Sequence, residues 1–258
     1  MISRYRMSLD DVQLDSFDDR ICILDIAYSE LEKTDKTFIT ANLDGYDSND
    51  AYVSRQTVSV AFELRVYNTA ERNAIVQRIN KWVCDGNEHV LKTNDREGQS
   101  LTVVCDKGIS IHSVRNWLDA IVITFVTKTN PYWESITPKT VTLTGKNSKS
   151  TLKMDGNTKD ALVSVDITTV DVVSSLRIVV GSTNLEFKKL SVGKNKKIVV
   201  DYLKNRYLRV RADGQSIMGK LQTSSTDNLK AKCGVNNSVS IVSDGRITAV
   251  LSGKGLWL

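Results

Sequence analysis

Residues 57–86 read TVSVAFELRVYNTAERNAIVQRINKWVCDG, and the first half of the chain is organised around them. Val58, Val60, Phe62, Leu64 and Val66 fall on one face, with Ser59, Ala61, Glu63 and Arg65 on the other. That is the period of a half-buried strand. Asn68 then offers a helix N-cap, and Glu71 three residues on is placed to reach back to the cap's backbone N–H. Ile75, Ile79, Trp82 and Val83 recur at helical spacing as one apolar stripe. Asp85-Gly86 supplies the stop, because glycine readily takes the left-handed conformation that ends a helix. The pattern predicts a long strand feeding an amphipathic helix, about 68–84, that packs back onto a sheet.

Upstream, residues 1–20 hold an early strand or arm and then the acidic, turn-rich DDVQLDSFDD; ICILDIAY at 21–28 is a compact apolar strand. Residues 29–56 are polar and carry the turn pair Asp44-Gly45, which fits a long loop or a projecting hairpin arm. Downstream, a strand from His89, a turn at 94–99 and a return at 101–105 form a hairpin. Asp106-Lys107-Gly108 predicts a further turn before a strand over 109–114. Residues 118–127 (LDAIVITFVT) are apolar on both faces, so a central strand covered on two sides is expected.

Both prolines of the chain, Pro131 and Pro138, sit in NPYWESITP at 130–138. Proline lacks a donor and holds its predecessor extended, so a sheet rarely runs through such a stretch. The expected domains are therefore 1–136, an α+β body of antiparallel sheets with one amphipathic helix and a hairpin, and 137–258, all β. In the second, VTLT, ALVSVDIT, SLRIVV, LEFKKLSV, KIVVDY, YLRVRA, SVSIV and ITAVL are divided by turn-like segments including KNSK, GSTN and SDG. Short strands at this spacing predict a sandwich with no helix beyond a turn or so, a mainly β fold for the whole chain. The ending SGKGLWL is expected to tuck Leu256, Trp257 and Leu258 against an apolar face.

At 258 residues, with 41% hydrophobic and 25% charged residues, the chain can bury a core in each half. No apolar leader region precedes residue 20 and no window suits a membrane span. Cys22, Cys84, Cys105 and Cys233 show no C-x-x-C spacing, which fits free thiols in a reducing compartment better than disulfides or metal. The net charge of +5 divides unevenly: residues 1–138 carry 15 basic against 21 acidic groups, and 139–258 carry 20 against 9, or −6 and +11. The basic half invites a nucleic-acid reading, but its lysines are scattered and no aromatic stacking platform lies among them.

Catalytic fingerprints are missing. G-x-S-x-G, the P-loop, G-x-G-x-x-G and H-E-x-x-H do not occur. His89 and His112 have no carboxylate at a motif spacing. Asp10-Asp11 and Asp18-Asp19 match the residue types of a glycosidase pair, but a solvated turn accounts for them better. Trp82, Trp117, Trp133 and Trp257 are the candidates for a sugar-stacking surface; Trp82 lies on the helix stripe, while Trp133 and Trp257 are less committed to the core. No catalytic, metal or cofactor site is assigned, no cofactor is expected, and interface residues stay unassigned.

Three features together resemble the distal tail protein (Dit) family of long-tailed, non-contractile bacteriophages. They are the passage VSVAFELRVYNTAERNAIVQRINKWVCDGNEHVL, the junction LDAIVITFVTKTNPYWES, and an all-β second domain closing on GKGLWL. Residues 29–56 depart from the family pattern, being more polar and lacking a P-G-x-x-G arm. The resemblance implies a non-enzymatic virion protein at the tail tip, assembled in the bacterial cytoplasm into a homo-hexameric ring. It also implies as partners the major tail tube protein and a tail-associated or fibre protein, with DNA passing through the lumen unbound and a galectin-like second domain projecting outward. A carbohydrate- or cell-wall-binding module, using Trp257, Tyr202 or Tyr207, is the alternative.

Overall fold

The computed structural model describes residues 4–29, 33–34, 52–53, 55–115, 117–128, 130–158, 160–203 and 207–257. The fold is mainly β and divides into two compact units, Met1–Trp133 and Glu134–Leu258.

The first unit opens with β1 (Met7–Leu9) and β2 (Val12–Gln13), joined through Asp10 and Asp11 at φ 49° and 67°. Two consecutive left-handed residues make the tight turn whose twist suits a hairpin. Next come β3 (Ile21–Tyr28), β4 (Lys33–Thr34), β5 (Tyr52–Val53) and β6 (Thr57–Arg65). β4 pairs antiparallel with β5, and the rest of the expected loop or arm, residues 30–32, 35–51 and 54, lies outside the described residues. Along β6, Val58, Val60, Phe62 and Leu64 are fully buried, as the alternation requires.

Helix α1 (Thr69–Val83) follows. Asn68 Oδ1 accepts from the amides of Ala70 (2.9 Å) and Glu71 (3.2 Å). The Glu71 carboxylate, expected to reach back to the cap, instead accepts from Arg20 Nη2 at 2.5 Å. Gly86, at φ 84°, lies just past the helix end. Ile75, Ile79 and Val83 are buried and Trp82 is half-buried against Phe17, ring centroids 4.8 Å apart.

β7 (His89–Thr93), β8 (Gln99–Arg115) and β9 (Leu118–Val126) complete the unit, in the antiparallel order β2-β1-β7-β8-β9-β6-β3. Two expectations are corrected here. Asp106-Lys107-Gly108 does not reverse the chain: it is a register shift inside β8, with Gly108 at φ 79°, so the strand continues. β9 is central, between β8 and β6, but only one face is fully covered; Val122 on the other is exposed. Apolar side chains on the second face therefore do not report burial within one chain.

β10 (Trp133–Ser135) leads to the second unit, built from β11 (Lys139–Lys153), β12 (Asp160–Thr169), β13 (Val173–Val180), β14 (Thr183–Val192), β15 (Lys197–Tyr202), β16 (Leu208–Ala212), β17 (Gln215–Ser216), β18 (Lys230–Lys232), β19 (Asn236–Gly253) and β20 (Leu256–Trp257). Among the described residues its only helical turn is Met218–Lys220. KNSK and SDG, expected as turns, lie within β11 and β19, which pair from Lys139↔Gly253 to Lys153↔Asn236 with one register shift between Gly145 and Asn147. The first part of β19 ladders with β13 and its second part with β12, so one strand serves two arms of the sheet. The turn-like residues are what allow the bend. Gly145 adopts φ 105°, and a Cβ on Gly245 would meet the Val172 carbonyl oxygen at 2.4 Å. Asp244 accepts from the Ser174 and Ser175 amides at 3.0 and 3.1 Å. Phe187, Val165, Ile178, Ile241, Val200 and Val210 are fully buried inside. Leu256 is buried and Trp257 half-buried, as expected of the tail; Leu258 lies outside the described residues.

Candidate functional site

The structure disperses the catalytic candidates, and His89, Asp10, Asp11 and Asp18 each take a structural partner. His89 is buried on β7, its Nδ1 2.7 Å from Asp10 Oδ2 and its Nε2 2.9 Å from Asp85 Oδ1. Asp10 comes from the β1–β2 turn, where its Oδ1 also accepts from the Val90 amide at 2.9 Å. Asp85 follows the C-terminal end of α1 and accepts from the Asn87 amide at 2.8 Å. Burial disfavours the charged ring, but the hydrogen bonds to Asp10 and Asp85 outweigh it, so the His89 pKa is raised. The Asn87 amide and side chain, with His89, hold the Asp85 carboxyl down at about 2. With a carboxylate oxygen against each ring nitrogen, neither nitrogen is open to a substrate proton. His89 is a clamp. Asp85 lies only four residues before His89, but Asp10, the other half of the clamp, is 79 residues away and no local pattern links it.

Asp11 pairs with Lys92, and Asp18 with Arg20 at 2.7 Å, so neither aspartate doublet forms two facing carboxylates. His112 is exposed on β8, opposite Ala120 of β9. Arg72, on the buried face of α1, meets Asp119 of β9 at 2.8 Å with both side chains less than a tenth exposed. A legible signal existed here: Arg72 sits three residues before Ile75 on the apolar stripe, and an arginine there needs a buried carboxylate.

Within the first unit each tryptophan has its own neighbours. Trp133, read as uncommitted, is fully buried; its ring lies edge-on to Tyr28 at 5.7 Å with the Arg96 guanidinium 5.0 Å above it. Trp117 stacks on Tyr67 at 5.9 Å, and Tyr67 is 81% exposed. The Tyr202 hydroxyl is engaged internally: it accepts from the Leu229 amide at 2.9 Å and lies 3.3 Å from the Val163 carbonyl, and burial pushes its pKa up to about 12. Tyr207 is exposed. Among the described residues no group of three or more His, Cys, Asp or Glu could hold a metal ion. No helix among them is long and apolar enough to cross a membrane.

Features suited to assembly are more prominent. β3 is the last strand of its sheet and has β6 on one side with no strand on the other, among the described residues. Leu24, bulged out of β3 between Ile23 and Asp25, is 46% exposed, and Ile111 on β8 and Val122 on β9 are exposed too. In the second unit a recess of about 420 Å³ is lined by Lys189, Lys196 and Lys220 together with Ser191, Gln215 and Ser216. Lys189 and Asp213 on its wall adopt φ 56° and 49°, and Lys196 Nζ reaches Asp213 Oδ2 at 2.6 Å.

No family profile matches the chain, and no curated protein matches it in sequence. Two structures of the phage P2 baseplate in its activated conformation, with Ca and with Sr, superpose with TM-scores of 0.47 and 0.46. Their identities are 9% and 8%, over 99% and 97% of this chain and 98% and 97% of theirs. The Dit protein of phage SPP1, a paradigm of the hub adsorption apparatus in phages infecting Gram-positive bacteria, matches with a TM-score of 0.72 at 14% identity, covering 97% of this chain and 98% of that one. What this chain shares with SPP1 Dit is the fold, over nearly the full length of both, and the fold is accordingly Dit-like.

Proposed function

We propose that the chain is a non-enzymatic structural hub at the distal end of a long, non-contractile phage tail. It closes as a homo-hexameric ring and joins the tail tube protein to the tail-tip, fibre or receptor-binding apparatus. The observation that carries this reading is the end-to-end likeness to SPP1 Dit at a TM-score of 0.72. The exposed edge of β3 and the apolar Leu24, Ile111 and Val122 support it. A cyclic ring needs one surface that fits a different surface of the next copy, and unpaired strand groups supply such a fit. Partition of His89, Asp10 and Asp18 into internal pairs agrees with a role without chemistry.

In this reading the acidic first half lines or flanks the DNA path, and −6 against +11 keeps the duplex sliding rather than bound. A lumen dominated by Lys and Arg would refute the charge argument. Light scattering on the eluting chain tests the ring, with a mass near six times 28.7 kDa expected, in the presence of tail tube protein if closure needs a template. Antibody labelling of virions anywhere but the tail tip would sink the assignment. The lysine-lined recess favours one second reading, a wall-binding module in the second unit that takes anionic polymers; retention of the full chain on purified cell walls, lost in high salt, tests it.

A further inference from the structure

Cys84 is the C-cap of α1, and Cys105 lies on β8 at the start of its register shift. Their Sγ atoms stand 2.7 Å apart, although 21 residues separate them in sequence. Unbonded sulfurs do not rest so close, and a bonded pair sits at about 2.05 Å, so less than an ångström of motion closes the gap. Neither side chain is fully buried, which leaves room for a small reagent.

We propose that Cys84 and Cys105 are a disulfide site, closed by exchange with a low-molecular-weight disulfide. One cysteine, as thiolate, attacks a sulfur of the small disulfide and expels one small thiolate. The second cysteine attacks the mixed disulfide and expels the other. The two cysteines lose two electrons, the small disulfide gains them, and both thiol protons end on the two released small thiols. Burial, with Cys105 and Asp85 nearby, pushes the Cys84 thiol up to about 12, so exchange quickens toward alkaline pH.

The bond would fasten the end of the helix to the irregular part of β8. A chain made in a reducing cytoplasm and carried outside meets such an oxidant only after release. That timing rests on the tail-tip reading; the bond does not.

The test uses the full chain, oxidised glutathione and a mildly alkaline buffer, followed by denaturing alkylation and peptide mapping. Two of the four thiols should become unalkylatable, with the linked peptides containing Cys84 and Cys105 and with Cys22 and Cys233 still free. The unfolding temperature of the first unit should rise by roughly 5–10 °C and fall back on reduction. Cys84→Ser and Cys105→Ser should each abolish both effects. Four thiols still alkylatable, a glutathione adduct that never resolves, or a bond to Cys22 or Cys233 would each overturn the proposal, and none of these depends on whether the chain belongs to a virion.

Discussion

The two units hold their sheets by different means. In the first, a helix covers the inner face, and a buried ion pair, Arg72 with Asp119, ties the helix to β9. In the second, the sheet covers itself: β11 and β19 run its length and bend at glycines, and ion pairs such as Arg246–Asp171 and Lys196–Asp213 lie at the surface. Charge placement therefore secures one unit and backbone geometry the other. Removing the buried carboxylate of Asp119 should injure the first and spare the second, whereas adding a methyl group at Gly245 should do the reverse.

Asp119→Ala should cause the largest loss. It strands the Arg72 guanidinium away from water, and breaking one side of a buried pair costs about 3–5 kcal/mol. Denaturant unfolding should show this in the first unit, with a tryptophan signal from Trp82 or Trp133 as the reporter, while the second unit holds its midpoint. Equal losses in both units would show that the division of labour is wrong. Gly245→Ala is the converse change. Its new methyl would meet backbone rather than a movable side chain, with a cost of roughly 1–3 kcal/mol confined to the second unit.

A finer cut comes from Asn68→Ala, which frees two amides at the start of α1 and should cost about 1 kcal/mol. Amide exchange in the first helical turn would register it before any global measurement does.

Acidity offers the smallest handle. The fold holds a proton on His89 more tightly than the unfolded chain does, so this stabilisation is complete below about 6.5 and disappears as pH rises through the raised folded value. Asp85 works at the other end: its contribution is present above 3.8 and is lost as pH falls toward about 2. Stability of the first unit should therefore peak on the acid side of neutrality, and His89→Gln should flatten the alkaline decline. An NMR titration placing the imidazole at or below 6.5 would contradict the clamp.

Much of the first unit was legible because local pattern and tertiary role coincide. The alternation of β6, the cap at Asn68 and the stripe through Ile75 and Ile79 each depend on near neighbours only. The second unit hid its long strands because Gly145, Asp244 and Gly245 are turn residues by chemistry, and only the approach of Val172 shows that the chain bends there without reversing. Trp133 was misjudged for a similar reason: the adjacent proline marks a junction, but Tyr28 and Arg96, which enclose the ring, lie far upstream. The charged sites were the least legible. Asp85 is a near neighbour of His89 and Arg72 stands out on its stripe, but the partners Asp10 and Asp119 lie across separations that no spacing rule spans.

Lys139 and Gly253 are register partners, so the chain's route into that long strand pair and its route out run side by side. Everything from 139 to 253 thus begins and ends at neighbouring residues, and Asn157 within it donates to the Leu256 carbonyl just beyond. Loosening one end of this ladder would therefore loosen the other, so the entry into the long strand pair and the exit from it yield together.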